Sequence, residues 1–145
     1  RFQVTCNAAF AQVMEACAAP RQDGTGESWI SHRIAASYQR LHQLGHAHSI
    51  ECWKDGRLAG GLYGVGFDGV FCGESMFSRE RDASKVAFKQ LVDTSLALGV
   101  DLIDCQVSNP HLSRLGARDL PRHEFVARIA RAIPDLTPVV GWTQR

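Results

Sequence analysis

No stretch of the 145 residues approaches the roughly 20 consecutive apolar side chains that a membrane-crossing helix needs. The opening RFQVTCNAAF lacks the cationic and apolar regions of a signal peptide. It also lacks an initiator Met, so the expectation is a fragment of something longer, a truncated homologue or a separately encoded half. The five Cys (6, 17, 52, 72 and 105) are odd in number, and none falls in a C-x-x-C pair or a zinc-ligand spacing. Neither a disulfide framework nor a zinc site is expected, and a reducing, cytoplasmic setting is. Internal repeats and low-complexity runs are missing as well.

What is present suits one domain with a real core: 45% hydrophobic and 21% charged residues over a length that one domain fills. The formal charge of +1 hides an uneven spread. Residues 111 to 145 carry six Arg against Asp119, Glu124 and Asp135, which permits a nucleic-acid partner without demanding one.

NAAFAQVMEACAA places Phe10, Val13, Met14 and Cys17 at helical spacing, with Asn7 suited to capping and Pro20 as the stop. SWISHRIAASYQRLHQLG predicts a second helix with an Ile30, Ile34, Tyr38, Leu41 stripe, closed by Gly45. HSIECW, LAGGLYGV and VFCGESMF then read as three antiparallel strands joined by Asp-Gly turns. A helix follows, with Asp82 as N-cap and Phe88, Leu91, Ser95 and Leu98 on one face, and VDLIDCQV reads as a buried strand parallel to its predecessor. The remainder predicts a short turn at HLSRLGA, an edge strand at ARDL, a helix from Pro121 to Ile133, and an irregular end holding the last Pro and Trp.

This order, an α/β (α+β) arrangement with a mixed sheet flanked by helices, is that of GNAT-type acyltransferases. In that fold, backbone amides of a glycine-bearing loop at a helix N-terminus hold the coenzyme A pyrophosphate. Here the loop reads SRERDASK, without glycine and with Glu80 and Asp82 facing any diphosphate, which disfavours coenzyme A chemistry.

Asp104 and Gln106, two apart in LIDCQV, would share one side of a strand and could orient or deprotonate an amine. Equally, Asp104 could cap the turn before Asn109 and Pro110. Glu74 either joins Asp104 in a cleft for a cationic substrate or is a solvated charge at a strand end. Leu62, Met76 and Leu91 could line an apolar pocket or simply pack in the core. Trp29 could stack on a base or anchor the core. His46 and His48 share a face with Glu51 near, but no third zinc ligand completes a set, and no metal is expected. Cys105 points away from Asp104 and Gln106 and reads as an inert buried thiol. Arg122, Arg128 and Arg131 form either a phosphate-touching stripe or a solvated helix face.

The stretches SWI (28 to 30), ASYQRLHQLGHAHSIECW (36 to 53), GGLYGV (60 to 65), GESMFS with DASK (73 to 85) and LIDCQVSNPHLSRLGA (102 to 117) carry a resemblance. The chain resembles the C-terminal, GNAT-like domain of bacterial leucyl/phenylalanyl-tRNA–protein transferases, and the match spans residues 1 to 145 for the most part. The family's smaller N-terminal domain has no counterpart here, which makes a non-catalytic tRNA- or N-terminus-binding module the alternative, with a GNAT acyltransferase using another donor as a third reading.

The resemblance implies transfer of Leu or Phe, and also Met, from aminoacyl-tRNA to the N-terminal Arg or Lys of an acceptor protein. The product is an N-degron, and no cofactor is required. It further implies that Asp104 and Gln106 activate the amine, that Glu74 is the acid of the substrate site, and that Trp29 lies near the aminoacyl-adenosine. Leu62, Met76, Leu91 and Ile103 would line the side-chain pocket. A pocket of that kind discriminates weakly, since one methylene is worth only about 1 to 3 kcal/mol.

Overall fold

The computed structural model describes residues 1–20, 28–133 and 141–142. In chain order the elements are β1 (Gln3–Cys6), α1 (Phe10–Ala18), α2 (His32–Gln43), β2 (Ala47–Lys54), β3 (Arg57–Phe67) and β4 (Val70–Ser78). Then come α3 (Ala83–Ala97), β5 (Leu102–Asp104), α4 (Pro110–Arg114) and α5 (Arg122–Ala132). The five strands lie side by side in sequence order, all pairs antiparallel except β4 and β5. Among the described residues no helix is long and apolar enough to cross a membrane.

The two hairpins are tight because Asp and Gly accept the backbone they require. Asp55 and Gly56 both take positive φ, 52° and 74°, which matches the twist of β2 into β3. The expected apolar stripes face the sheet: buried Phe10, Val13, Met14 and Cys17 of α1, with partly buried Ile34, Tyr38 and Leu41 of α2, close one face of it around Tyr63 and Val65. Ala87, Phe88 and Leu91 of α3 close the other around Ile50, Leu62 and Phe71. The α3 N-terminus seats directly on β3, where a Cβ at Gly60 would stand 2.7 Å from the Ala83 Cβ, so a larger residue would push the helix away.

Several expectations are corrected. A strand precedes α1, and Asn7 does not cap that helix: its φ is 56°, its Oδ1 accepts from the Ser49 amide at 3.0 Å, and its Nδ2 donates to the Trp142 carbonyl at 2.7 Å. The amides just ahead of the helix are held from another strand. The Glu51 carboxylate accepts the Ala8 and Ala9 amides, both at 3.3 Å, together with the Thr5 and Ser49 hydroxyls at 2.6 and 2.5 Å.

Asp82 occupies the N-cap position of α3 but gives its carboxylate to Lys85 at 2.5 Å instead of to a backbone amide. ARDL forms no strand, and α5 begins at Arg122 with Pro121 ahead of it. The predicted turn after Asn109 is a short helix, capped by Asn109 Oδ1 accepting from the Leu112 amide at 2.9 Å. Of the predicted irregular end, Pro138 lies outside the described residues, whereas Trp142 is buried in the core, stacked on His48 at 5.2 Å and tilted against Phe71 at 5.0 Å.

Candidate active site

Strands β4 and β5 run side by side through Val70–Leu102, Phe71–Ile103 and Cys72–Asp104, and there β5 ends while β4 continues. In β4 the pairing skips one residue: Tyr63 faces Ser75 and Gly64 faces Gly73, so Glu74 is the extra residue of a bulge. Bulges bend a strand and re-aim the side chain they insert. Gly64 permits this one, since a Cβ there would collide with the Cys72 carbonyl. Glu74 is therefore neither at a strand end nor fully solvated; it is half-buried within β4.

The gap left where β5 stops opens into a cavity of about 150 Å³. Leu62, Met76, Leu91 and Ile103 all line it, and Glu74 lies in its wall. Phe88, Leu112 and Tyr63 line it as well. Phe88 belongs to the apolar stripe of α3, but nothing in its sequence context separates lining from packing. Tyr63 is fully buried, with a hydroxyl that has no hydrogen-bond partner.

Asp104 and Gln106 line a second, larger opening of about 740 Å³ that shares Phe88, Ile103, Cys105 and Leu112 with the first. They are not two residues of one strand face. The strand stops at Asp104, Gln106 adopts φ 66°, and its backbone amide donates to Asp104 Oδ1 at 2.8 Å. The turn-capping alternative for Asp104 is thus realised, and the same turn brings carboxylate and carboxamide to one opening. Alternation along the strand does not reach Gln106, which removes the conflict between Ile103 and its polar neighbours.

The two carboxylates converge on Cys72. Its thiol is pushed up to about 11, by burial first and then by the charges of Asp104 and Glu74. Burial and Asp104 also raise Cys105, so neither thiol is a ready nucleophile at neutral pH.

Trp29 enters neither cavity, and at 52% exposed it is no core anchor. It packs edge-on against Tyr38 at 6.4 Å, and the Tyr38 phenol is raised by burial and then by its hydrogen bond to, and the charge of, Glu74. Trp29 thus reaches the site through one intervening ring. Tyr38 was legible only as part of an apolar stripe.

The segment between β4 and α3 does not fit a coenzyme A pyrophosphate. Four of its amides are already engaged: Arg79 and Glu80 donate to the Ala59 carbonyl at 2.7 and 3.1 Å, Ala83 to the Glu80 carbonyl at 3.1 Å, and Ser84 to the Ser78 hydroxyl at 3.3 Å. The Glu80 and Asp82 carboxylates occupy the same end, paired with Lys54 and Lys85. A diphosphate would meet used donors and two negative charges.

The family model for leucyl/phenylalanyl-tRNA protein transferase matches residues 1–130. The chain belongs to this family. It is 60% identical over 132 residues to the leucyl/phenylalanyl-tRNA–protein transferase of Novosphingobium aromaticivorans, covering 91% of this chain and 50% of that protein. To the proteins of the same name from Thiobacillus denitrificans and Azoarcus sp. it is 52% and 48% identical, covering 91% and 99% of this chain and 58% and 60% of theirs. The chain therefore spans about half to three fifths of the length of these relatives.

Among solved structures it is similar to an aminoglycoside acetyltransferase from an uncultured soil sample, with TM-score 0.61, 17% identity, and coverage of 85% of this chain and 95% of that one. A GNAT-family acetyltransferase from Staphylococcus aureus Mu50 also gives 0.61, at 10% identity over 95% and 94% of the two chains. At such identities the likeness shows the fold alone, and the fold is the GNAT one.

Proposed function

We propose that this member of the family transfers Leu or Phe, and also Met, from aminoacyl-tRNA to the α-amino group of an N-terminal Arg or Lys on an acceptor protein. The observation that carries the reading is the adjacency of a small apolar cavity to a carboxylate and a carboxamide at a shared opening. The acyl side chain occupies the cavity, against Leu62, Met76, Leu91 and Ile103. Its ester carbonyl faces outward, toward Asp104 and Gln106.

The acceptor nitrogen attacks that carbonyl. Gln106 holds the amine through its carboxamide oxygen, and Asp104 accepts a proton from it as the C–N bond forms. The C–O ester bond then breaks and the ribose hydroxyl leaves with a proton, so the reaction exchanges an ester for an amide with no net redox change. Glu74 supplies negative charge for the cationic acceptor end. The product carries a new N-degron, and the cytoplasm, where aminoacyl-tRNA resides, is the place of action.

Transfer of labelled Phe from Phe-tRNA to an Arg-initiated peptide tests this directly. The chain should transfer, and Asp104→Ala and Gln106→Ala should each lose about 10²-fold or more. Normal turnover in both variants removes their assigned roles. A module that binds without transferring is the competing outcome. Binding of the basic peptide with no transfer selects it.

A further inference from the structure

The chain carries seven sulfur atoms, five in cysteines and two in methionines, and the fold treats them differently. Cys17 and Cys52 are buried, while Cys6, Cys72 and Cys105 are half-buried. Burial is the first cause that pushes all five thiols up, Cys72 to about 11 and Cys17 to about 12. A thiol meets an oxidant as its thiolate, so at neutral pH each of the five reacts slowly. A thioether has no proton to lose, and access alone decides how fast it is oxidised.

Access separates the two methionines. Met14, on the inner face of α1, is 3% exposed. Met76 is half-buried, faces Leu62 across β3 and β4, and lines the 150 Å³ cavity with Leu62, Leu91 and Ile103. That cavity adjoins the larger opening, with which it shares Phe88, Ile103, Cys105 and Leu112. Met76 thus combines an approach for a small oxidant with an electron pair that is free at any pH. It also stands where one added oxygen matters most. A sulfoxide there sets a strong dipole among three aliphatic side chains, and a Leu or Phe side chain would have to cover its oxygen without bonding to it.

We infer that Met76 is a modification site, oxidised by hydrogen peroxide to the sulfoxide, and that this closes the cavity to apolar acyl groups. In the step, sulfur gives an electron pair to one peroxide oxygen, the O–O bond breaks, and the other oxygen leaves as water with both protons. Sulfur is oxidised by two electrons and peroxide is reduced. A thiol-dependent methionine sulfoxide reductase reverses the change, two thiols becoming a disulfide as the oxygen leaves in water. The closure depends on the acyl side chain seating in this cavity, as proposed above.

The test treats wild type, Met76→Leu and Met14→Leu with hydrogen peroxide and follows each sulfur by peptide mass spectrometry. Affinity for a stable phenylalanyl-adenosine amide, and transfer of Phe from Phe-tRNA, are each compared with the same protein before treatment. In wild type and Met14→Leu the added oxygen should appear first at Met76, at a rate that is flat between about pH 6 and 8, whereas a thiol would speed up about tenfold per pH unit. Both readouts should fall about tenfold or more in these two proteins and return after the reductase. In Met76→Leu they should change by less than about twofold.

An equal loss in Met76→Leu overturns the inference, as does a rate of loss that climbs with pH. Oxidation at Met76 that leaves affinity and transfer intact overturns it too. If untreated wild type neither binds the amide nor transfers Phe, the acyl-site reading itself fails and the closure with it, a different result from binding that ignores the state of Met76.

Discussion

The backbone amide of Gln106 donates to the side chain of Asp104 at 2.8 Å, closing a turn in which Gln106 holds a left-handed φ of 66°. Asp104 therefore has two separable duties, since an amide oxygen could accept that bond but could not take a proton from an amine. Asp104→Asn should keep the turn and the thermal midpoint within a few degrees while lowering transfer about 10²-fold or more. Asp104→Ala should lose both. Equal activity for Asp104→Asn and wild type would make the carboxylate structural only.

The apolar cavity gives a prediction about selectivity. Leu62 and Met76 face each other across β3 and β4 and both line the 150 Å³ space. Met76→Phe fills part of it with a rigid ring, and should shift the ratio of kcat/KM for Leu over Phe donors toward Leu by about 10-fold or more, the size of a methylene-scale discrimination. Leu62→Ala should shift it toward Phe, at a cost of about 2 to 4 kcal/mol in stability by urea unfolding. Unmoved ratios in both variants would place the acyl side chain elsewhere.

His48 supplies a pH prediction. It is buried, stacked on Trp142, with its Nδ1 3.1 Å from Asn7 Nδ2 and its Nε2 without a partner. Burial first, and then the neighbouring His42, lower its pKa to about 4 from an ordinary 6.5. Between those values the unfolded chain binds the proton and the native one does not, so stability falls as pH drops through this window. His48→Gln should remove up to about 3 kcal/mol of the loss seen between pH 7 and 4, at roughly 1.4 kcal/mol for each pH unit that separates the native and unfolded titrations. Chemical unfolding of both proteins at several pH values measures it, and parallel curves would place the titration elsewhere.

Much of this was legible because it is periodic. The stripes of α1, α2 and α3 are the faces packed on the sheet, and the Asp-Gly turns are where two strands reverse, because each depends only on near neighbours. What escaped depends on partners far along the chain. Strand β1 has four residues, and its partner begins more than forty positions later, so RFQVTC carries no local sign of it. Asn7 looks like a helix cap in sequence, but its side chain is taken by Ser49 and Trp142, far along the chain. At the site, the candidate residues were legible from the resemblance, but their geometry was not. The bulge at Glu74 exists only relative to the register of β3, and the left-handed turn at Gln106 is unusual for a residue with a Cβ.

Glu51 provides the last prediction, and it tests how the helical face is tied to the sheet. Its carboxylate is fully buried and accepts four donors, two of them the Ala8 and Ala9 amides just ahead of α1. Removing one partner of such a network leaves several polar groups without water or bond, so Glu51→Ala should cost about 3 to 5 kcal/mol. Glu51→Gln keeps the shape and one acceptor oxygen and should cost less, about 1 to 3 kcal/mol. Because α1 packs against Tyr63, whose ring lies in the cavity wall, hydrogen exchange in Glu51→Gln should rise in α1 before it rises in α3. Uniform acceleration through both helices would mean that Glu51 supports the whole domain and not this one attachment.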